Sequence, residues 1–261
     1  KPERQIGTEI GLDLRLYNGR INVDYTYYNQ KSVDILLSKP IAPSSGYRFL
    51  YTNAGEMVNK GHELSINATP VKLENGFQWD LGFNFTKNIN EVTKLEEGVD
   101  EINIETAFSS IGSFAIVGDP YGALYGSRWK RTSDGQLLID PNTGLPLLDP
   151  SRGNIGNPFP DYLMNIRNSF SFKGFELSAL LDIREGGDIW CGTCARLNRL
   201  GRTELSADRE KNYVIEGVIA DANGESTGQA NNIEVSASDY FQGYLGDRGA
   251  AVEQAVFDGS W

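Results

Sequence analysis

Residues 7–29, GTEIGLDLRLYNGRINVDYTYYN, decide the fold of this chain. Apolar and polar residues alternate along Ile10–Leu16 and again along Ile21–Tyr27. A period of two is that of a β-strand with one apolar and one polar face. Asn18-Gly19 lies between the two runs, and Asn-Gly between alternating runs is the strongest short-range signal for a hairpin. The stretch therefore predicts an antiparallel hairpin with its apolar residues on one side.

The same pattern occurs twice more along the chain. The second pair of runs is Leu64–Ala68 and Phe77–Phe85, on either side of a turn within Pro70–Gly76. The third pair is Tyr162–Phe172 and Phe175–Ile183, joined by Lys173-Gly174. Three hairpins give six strands, so the sequence predicts an all-β, antiparallel fold.

Long polar segments separate these hairpins, at roughly 31–60, 88–160 and 185–258. Compact soluble β domains seldom carry unstructured loops beyond ~12–15 residues. Outer-membrane barrels combine tight turns at one end with long extracellular loops at the other, and their strands span the bilayer in ~9–11 residues. The pattern favours a transmembrane β-barrel with long extracellular loops. Alternation alone fits a soluble β-sandwich equally well.

Aromatic residues near the strand ends resemble the interfacial girdle of such barrels. In a sandwich the same side chains would be core, so they do not decide between the two folds. The residues are Tyr17, Tyr27, Tyr28, Trp79, Phe170, Phe172 and Phe175.

Composition narrows the classes of function. Of 261 residues 39% are hydrophobic, and no run approaches the ~20 apolar residues of a membrane helix. A net charge of −11 argues against binding a phosphate backbone, so no nucleic-acid partner is predicted. The start at Lys1 shows no signal-peptide pattern, and the last residues to Trp261 do not resemble a natural terminus. We expect both ends to be cut from a longer chain.

Five segments in order resemble the SusC/RagA-type TonB-dependent transporters of Bacteroidetes. They are distributed along most of the chain, and the order rather than any one motif makes the resemblance specific. The segments are KPERQIGTEIGLDLRLYNGRINVDYTYYNQKSVDILL (1–37), NAGEMVNKGHELSINATP (53–70), GNPFPDYLMNIRNSFSFKGFELS (156–178), IREGGDIW (183–190) followed by RLNRLGRT (196–203), and VFDGSW (256–261).

The resemblance implies a 22-stranded barrel with an N-terminal plug, of which residues 1–261 are a partial barrel domain holding six of the last nine strands. The plug, the TonB box and the last three strands would be absent. It also implies import of an oligosaccharide or a peptide across the bacterial outer membrane, in contact with outer-membrane lipid. The implied partners are TonB-ExbB-ExbD, reached through the missing N-terminal part, and a SusD-like lipoprotein lid. Transport breaks no covalent bond, so neither an enzyme nor a catalytic residue is expected.

Two other functions stay open at this point. A soluble or surface-anchored β-sandwich that binds glycans would bury its apolar face between two sheets. A β-rich hydrolase would gather carboxylates in a cleft, and geometry is needed to choose them among 35 acidic residues.

Loop aromatics are the candidates for ligand binding, because their rings stack on sugar rings or on peptide side chains. Each ring has an alternative role in loop packing or in docking the lid. The candidates are Tyr47, Phe49, Tyr51, Trp129, Trp190, Tyr240, Phe241 and Tyr244.

Trp190-Cys191-Gly192-Thr193-Cys194 looks like the Trp-Cys-Gly-x-Cys motif of thioredoxin-like oxidoreductases, and a helix is predicted to follow at 195–200. That family places a cis-proline downstream, whereas all ten prolines here lie at or before Pro160. A disulfide between Cys191 and Cys194 closing an extracellular loop is favoured over redox catalysis, and two free thiols stay open.

No metal or cofactor is required by the sequence. A zinc ion would find only two thiolates and the distant His62, the single histidine, which is a poor ligand set. A lone histidine at a strand end is more often structural than catalytic. Oxygen-bearing side chains between Asp140 and Asp161 allow a structural Ca²⁺ in the extracellular loops, although ordinary turn chemistry is favoured. These residues are Asp140, Asn142, Asp149 and Asp161.

Overall fold

The computed structural model describes residues 1–108 and 111–261, and β-strands dominate them. The strands are β1 (Arg4–Leu16), β2 (Ile21–Pro40), β3 (Phe49–Lys72), β4 (Gln78–Leu95), β5 (Glu101–Phe108), β6 (Ile111–Ile116), β7 (Ala123–Gly126), β8 (Leu138–Ile139), β9 (Gly153–Gly156), β10 (Pro160–Phe172), β11 (Phe175–Gly186), β12 (Asp188–Trp190), β13 (Asn212–Val214), β14 (Val218–Ala220), β15 (Ser226–Ala230), β16 (Glu234–Ser236) and β17 (Val256–Asp258).

Helices are few and short. They are α1 (Gly192–Arg199), α2 (Ala237–Asp239) with a π-helical turn at Tyr240–Tyr244, and 3₁₀ turns at Pro43–Ser45, Glu204–Ser206 and Val252–Ala255. Among the described residues, no helix has the length and apolar character needed to cross a membrane.

The three predicted hairpins are confirmed and join into one antiparallel sheet, in the order β1-β2-β3-β4-β10-β11. Leu16 pairs with Ile21 in the first hairpin, and Phe172 pairs with Phe175 in the third. The first turn runs through Asn18, whose φ is 58°. Asn adopts this left-handed region at little cost, which explains why the chain reverses here.

The sheet has one apolar and one polar face across all six strands. The cross-strand pairs connect one apolar row formed by Leu14, Val23, Ile66, Phe83, Ile166 and Leu181. The neighbouring polar row is formed by Asp13, Asp24, Ser65, Asn84, Asn165 and Asp182. On the apolar face Ile10 is 66% exposed and Leu12 is 51% exposed. No second sheet of the described residues covers this face, which a sandwich would require.

The strands are longer than the predicted ~9–11 residues. β1 and β10 have 13 residues, β2 has 20 and β3 has 24. The predicted long segment 31–60 is therefore wrong, because only residues 41–48 lie between β2 and β3. Beyond Tyr27 of β2, positions on the apolar face are occupied by polar side chains such as Asn29 and Lys31. The apolar–polar alternation is lost there, although the backbone pairing continues.

The other two long segments have structure of their own, which the sequence did not predict. They form a four-stranded sheet (β5-β6-β7-β9), a three-stranded sheet (β15-β14-β8) and the pairs β12-β17 and β13-β16. Residues 109–110 of the predicted segment 88–160 lie outside the described residues. Most of the buried core is here, including Val92, Ile102, Leu138 and Val218, and Leu37 of β2 packs against it. The main core therefore sits at the loop end of the large sheet.

Candidate functional site

The apolar face is bounded by two rows of aromatic rings. At the turn end, Trp79 stacks on Phe170 with ring centroids 5.9 Å apart. At the loop end, Tyr27 lies 5.1 Å from the ring of His62, which pairs across the ladder with Lys87. Eight residues of β4 separate Trp79 from Lys87, or ~27 Å along the strand. At a tilt of 35–45° this gives a height of about 20 Å, close to the ~25 Å apolar band of membrane barrels.

His62 and Tyr28 have structural roles in the sheet. The hydroxyl of Tyr25 lies 2.8 Å from Nδ1 of His62. Tyr28 is on the polar face, so its assignment to the girdle is wrong. Its ring covers Gly61, where an added Cβ would lie 2.2 Å from the ring, and its hydroxyl donates to Oδ1 of Asn88 at 3.0 Å.

The ligand candidates Tyr47, Phe49 and Tyr51 lie at the tip of the β2–β3 hairpin. They are 72%, 60% and 77% exposed. Phe49 and Tyr51 belong to β3 rather than to a loop. Residues two apart in a strand project to the same side, so these two rings share one face.

Four other candidates come together in an aromatic cluster, and Tyr213 joins them. Tyr213 stacks on Tyr240 with centroids 4.2 Å apart. Tyr244 lies 5.3 Å from Tyr240 and 5.8 Å from Trp129. Trp129 is 2% exposed and Phe241 is 6% exposed. These two rings are buried in the core of the loop region, which is the loop-packing role left open for each ring by the sequence. Tyr213 escaped sequence analysis because β13 is too short to show a pattern.

Trp190 lies apart from this cluster, in β12 beside the disulfide. Cys191 and Cys194 are bonded to each other at the start of α1. The backbone N–H of Cys191 donates to the carbonyl oxygen of Ala255 at 2.7 Å. The beginning of α1 is thereby attached to the 3₁₀ turn before β17.

An ion pair joins α1 to the turn after the aromatic cluster. Nη1 of Arg196 donates to Oδ2 of Asp247 at 2.8 Å, and Nε of Arg199 donates to Oδ1. Burial acts to raise the pKa of Asp247, but hydrogen bonds and charge from the two arginines outweigh it and hold that pKa below its usual value. Asp247 is therefore ionised at neutral pH.

Beside Tyr244 the loop region contains a cavity of about 540 Å³. Its polar lining includes Arg131, Asp134, Gln136 and Glu216. Nη2 of Arg131 donates to Oε1 of Glu253 at 2.9 Å, and Nε2 of Gln136 donates to Oδ2 of Asp134 at 3.1 Å. Burial is the main cause that raises the pKa of Tyr244, and the neighbouring Tyr240 raises it further. The Tyr244 hydroxyl therefore stays protonated and can donate a hydrogen bond at neutral pH.

The residues suggested for Ca²⁺ are used in turns or lie apart. Oδ1 of Asp140 accepts the backbone N–H of Asn142 at 2.8 Å. Oδ2 of Asp149 accepts from Nε of Arg128 at 2.9 Å. Asp161 instead lies against Gly186. In the described part of the chain, no three His, Cys, Asp or Glu side chains group as a metal site.

Comparison with known proteins agrees with this two-faced sheet. Residues 1–109 match the family model "TonB dependent receptor-like, beta-barrel". TonB-dependent receptor P3 of Formosa agariphila is 30% identical over 222 residues, which is 77% of this chain and 22% of the relative. SusC of Bacteroides thetaiotaomicron is 29% identical over 192 residues, which is 68% of this chain and 19% of SusC. The chain belongs to the SusC/RagA-type TonB-dependent receptors.

A solved structure titled as the RagAB peptide importer in the "closed-closed" state superposes with a TM-score of 0.67 at 17% identity. The match covers 99% of this chain and 28% of that one. At this identity the likeness concerns the fold. The chain thus spans about a fifth of the length of its SusC/RagA-type relatives, which are outer-membrane barrel proteins of Gram-negative bacteria.

Proposed function

We propose that this chain forms part of the wall of an outer-membrane importer, energised by TonB-ExbB-ExbD and covered by a SusD-like lipoprotein lid. Its cargo is an oligosaccharide or a peptide. The observation that carries the proposal is the continuous two-faced sheet, apolar on one side and polar on the other along all six strands. In a barrel wall the apolar side faces lipid and the polar side faces the lumen.

Chemistry on the polar face fits passage rather than reaction. Its side chains hold one another in hydrogen bonds, as between Asn84 and Asn165 at 2.8 Å and between Thr69 and Asp80 at 2.7 Å. Such a surface offers hydrogen-bond donors and acceptors to a hydrated cargo. The named relatives are TonB-dependent receptors, and that kinship supports the proposal that the full-length receptor imports its cargo.

The loop end is where cargo and lid would first be met. We assign this contact to the exposed rings of Tyr47, Phe49 and Tyr51. Aromatic side chains carry much of the energy of such contacts because each brings a large rigid area at small entropic cost. Tyr17, at the opposite turn end, is equally exposed at 75% and serves as the control.

Uptake by cells tests the function. Cells carrying the full-length receptor are given labelled oligosaccharide and peptide pools, with and without a protonophore that removes the energy for TonB. We expect uptake of at least one pool, lost both on deletion of the receptor and on adding the protonophore. Recovery of the native receptor in aqueous buffer without detergent, or uptake that survives deletion, would contradict the proposal.

The loop-end contact is tested by Tyr47→Ala with Tyr51→Ala, compared with Tyr17→Ala. Loss of two exposed rings should weaken uptake or lid co-purification by roughly tenfold, whereas the control should leave both unchanged. Equal effects of the two changes would remove these rings from the contact.

A further inference from the structure

The cavity beside Tyr244 combines segments that are far apart in the chain. It is lined by Arg131, Asp134–Leu137, Glu216–Gly217, Ala230 and Tyr244. Parallel pairing of Val218 with Leu138 brings the segments Asp134–Leu137 and Glu216–Gly217 together. The contact of Tyr244 with Trp129 brings in the segment that contains Tyr244. The cavity is thus a product of the loop region's own fold and lies outside the polar face of the large sheet.

One wall of the cavity is an aromatic ring that is fixed before any ligand arrives. Tyr244 is held by Tyr240 at 5.3 Å and by Trp129 at 5.8 Å. A ring held on other sides loses little freedom when a ligand stacks on it, so more of the contact energy goes to binding. The flat apolar faces of sugar rings suit such a surface.

The remaining walls carry flat, hydrogen-bonding side chains that are also oriented in advance. Gln136 is tied to Asp134, and Arg131 is tied to Glu253 and to the carbonyl oxygen of Gly135 at 3.3 Å. Hydrogen bonds from Thr132 and from the backbone hold the pKa of Asp134 below its usual value, so its carboxylate is ionised. Amide, carboxylate and guanidinium groups offer paired donors and acceptors of the kind that adjacent sugar hydroxyls match.

Charge and size limit the ligand further. Asp134 and Glu216 contribute two negative charges and Arg131 contributes one positive charge, which leaves a net −1 that disfavours uronates, sulfates and phosphates. A volume of about 540 Å³ lies within the ~300–1,000 Å³ of ordinary ligand pockets.

We propose that this cavity is a binding subsite for a short stretch of a neutral oligosaccharide. The proposal rests on the import function above and names its cargo class. The subsite would hold one part of the chain at the loop end while the remainder reaches the lumen.

Titration calorimetry on the full-length receptor in detergent tests the subsite. The probes are maltohexaose, cellohexaose and laminarihexaose, with a hexamer of glucuronic acid and a tryptic peptide mixture as contrasts. Gln136→Ala should weaken binding of a neutral hexaose roughly tenfold, because it removes an amide side chain that would donate to and accept from the sugar hydroxyls. Tyr244→Ala should weaken it at least as much. Gln229→Ala is the matched control in β15, since its neighbour Ala230 lines the cavity and adjacent strand residues face opposite sides.

Tyr244→Ala also disturbs the aromatic cluster, so the result for Gln136→Ala, at an exposed position, is the decisive one. Melting temperatures of both variants show whether either change unfolds the loop region. A neutral hexaose that binds wild type and all three variants equally would overturn the subsite but leave import standing. Binding of peptides or the acidic hexamer without any neutral hexaose would overturn the ligand class. Loss of import itself is scored separately by the protonophore experiment.

Discussion

Gly61 illustrates how a single missing Cβ shapes the polar face. Tyr28 crosses from β2 over this glycine of β3 and reaches Asn88 of β4, so one side chain joins three strands. Any Cβ at position 61 would meet both the Tyr28 ring at 2.2 Å and the carbonyl oxygen of Lys87 at 2.7 Å. The Tyr28 ring therefore occupies the space that a side chain at position 61 would need, so the two positions depend on each other.

Gly61→Ala is expected to lower stability by ~1–3 kcal/mol, because overlap in a filled space displaces Tyr28 and breaks its hydrogen bond. Gly82→Ala is the control on the same face, since its Cβ would make an ordinary contact 3.6 Å from Arg167. Urea unfolding of the full-length receptor measures both. A midpoint that falls equally in the two variants would argue against the overlap.

The position of a residue in the alternating pattern predicted its face of the sheet better than its aromatic character predicted its role. Alternation placed Tyr28 on the polar side, yet its aromatic character suggested a girdle. Trp129 and Phe241 looked like ligand contacts, and only packing shows that they are 2% and 6% exposed. A loop sequence carries no period that separates a buried ring from an exposed one, so this part of the site required the structure.

At the scale of elements, α1 is held at both ends. Its start is attached through the Cys191 backbone and carries the disulfide, and its arginines hold Asp247. The Trp-Cys-Gly-x-Cys motif predicted a helix after the cysteines, and α1 is found over Gly192–Arg199. The partner of its arginines lies 48 residues or more away, a separation that local sequence patterns do not reveal.

The Asp247 ion pair should give α1 a dependence on acid pH. Because the pKa of Asp247 is lowered in the folded protein, its contribution is complete above the unfolded value of ~3.9 and is lost as pH falls through the lower folded value. We expect about 1 kcal/mol, given that Arg196 is half exposed.

Asp247→Asn should therefore increase amide hydrogen exchange across Gly192–Arg199 at pH 7, and should remove the further change that wild type shows below about pH 4. Glu210→Gln, which changes an exposed acid that follows the same helix in the chain, is the control. Unchanged exchange in Asp247→Asn at pH 7 would mean that the pair does not stabilise α1.

The full lengths of β2 and β3 could not be predicted from the sequence. Hairpins were predicted wherever one face was apolar, since period two is visible there. β2 and β3 continue well past Tyr27 and His62, but apolar and polar residues no longer alternate there, as in Asn29–Ser32 of β2 and Asn59–Lys60 of β3. Backbone pairing needs no apolar side chain, so these upper strand halves were mistaken for loop. The short strands β12 to β17 were missed because three to five residues are too few to show a period of two.

At the scale of the whole molecule, the apolar face and the buried core are separate. The core that excludes water lies at the loop end, around Val92, Ile102 and Ile139, while the apolar face of the large sheet keeps side chains such as Ile10 and Leu181 at the surface. A soluble protein would lose stability by exposing Ile10 and Leu181 to water, at 66% and 56%. The arrangement is favourable when lipid is the solvent for that face.

Neighbouring residues of β3 allow a direct test of which face meets lipid. Ile66 lies midway between the aromatic rows, paired with Val23 and with Phe83, and the adjacent Ser65 faces the polar side between Asp24 and Asn84. An arginine at the bilayer midplane costs ~2–4 kcal/mol on the lipid face, whereas lumen positions accept charge. Ile66→Arg should therefore strongly reduce the amount of heat-modifiable, folded receptor in the outer-membrane fraction. Ser65→Arg, next to the Asp24 carboxylate, should leave it near the wild-type amount, and the opposite order would reverse the assignment of the two faces.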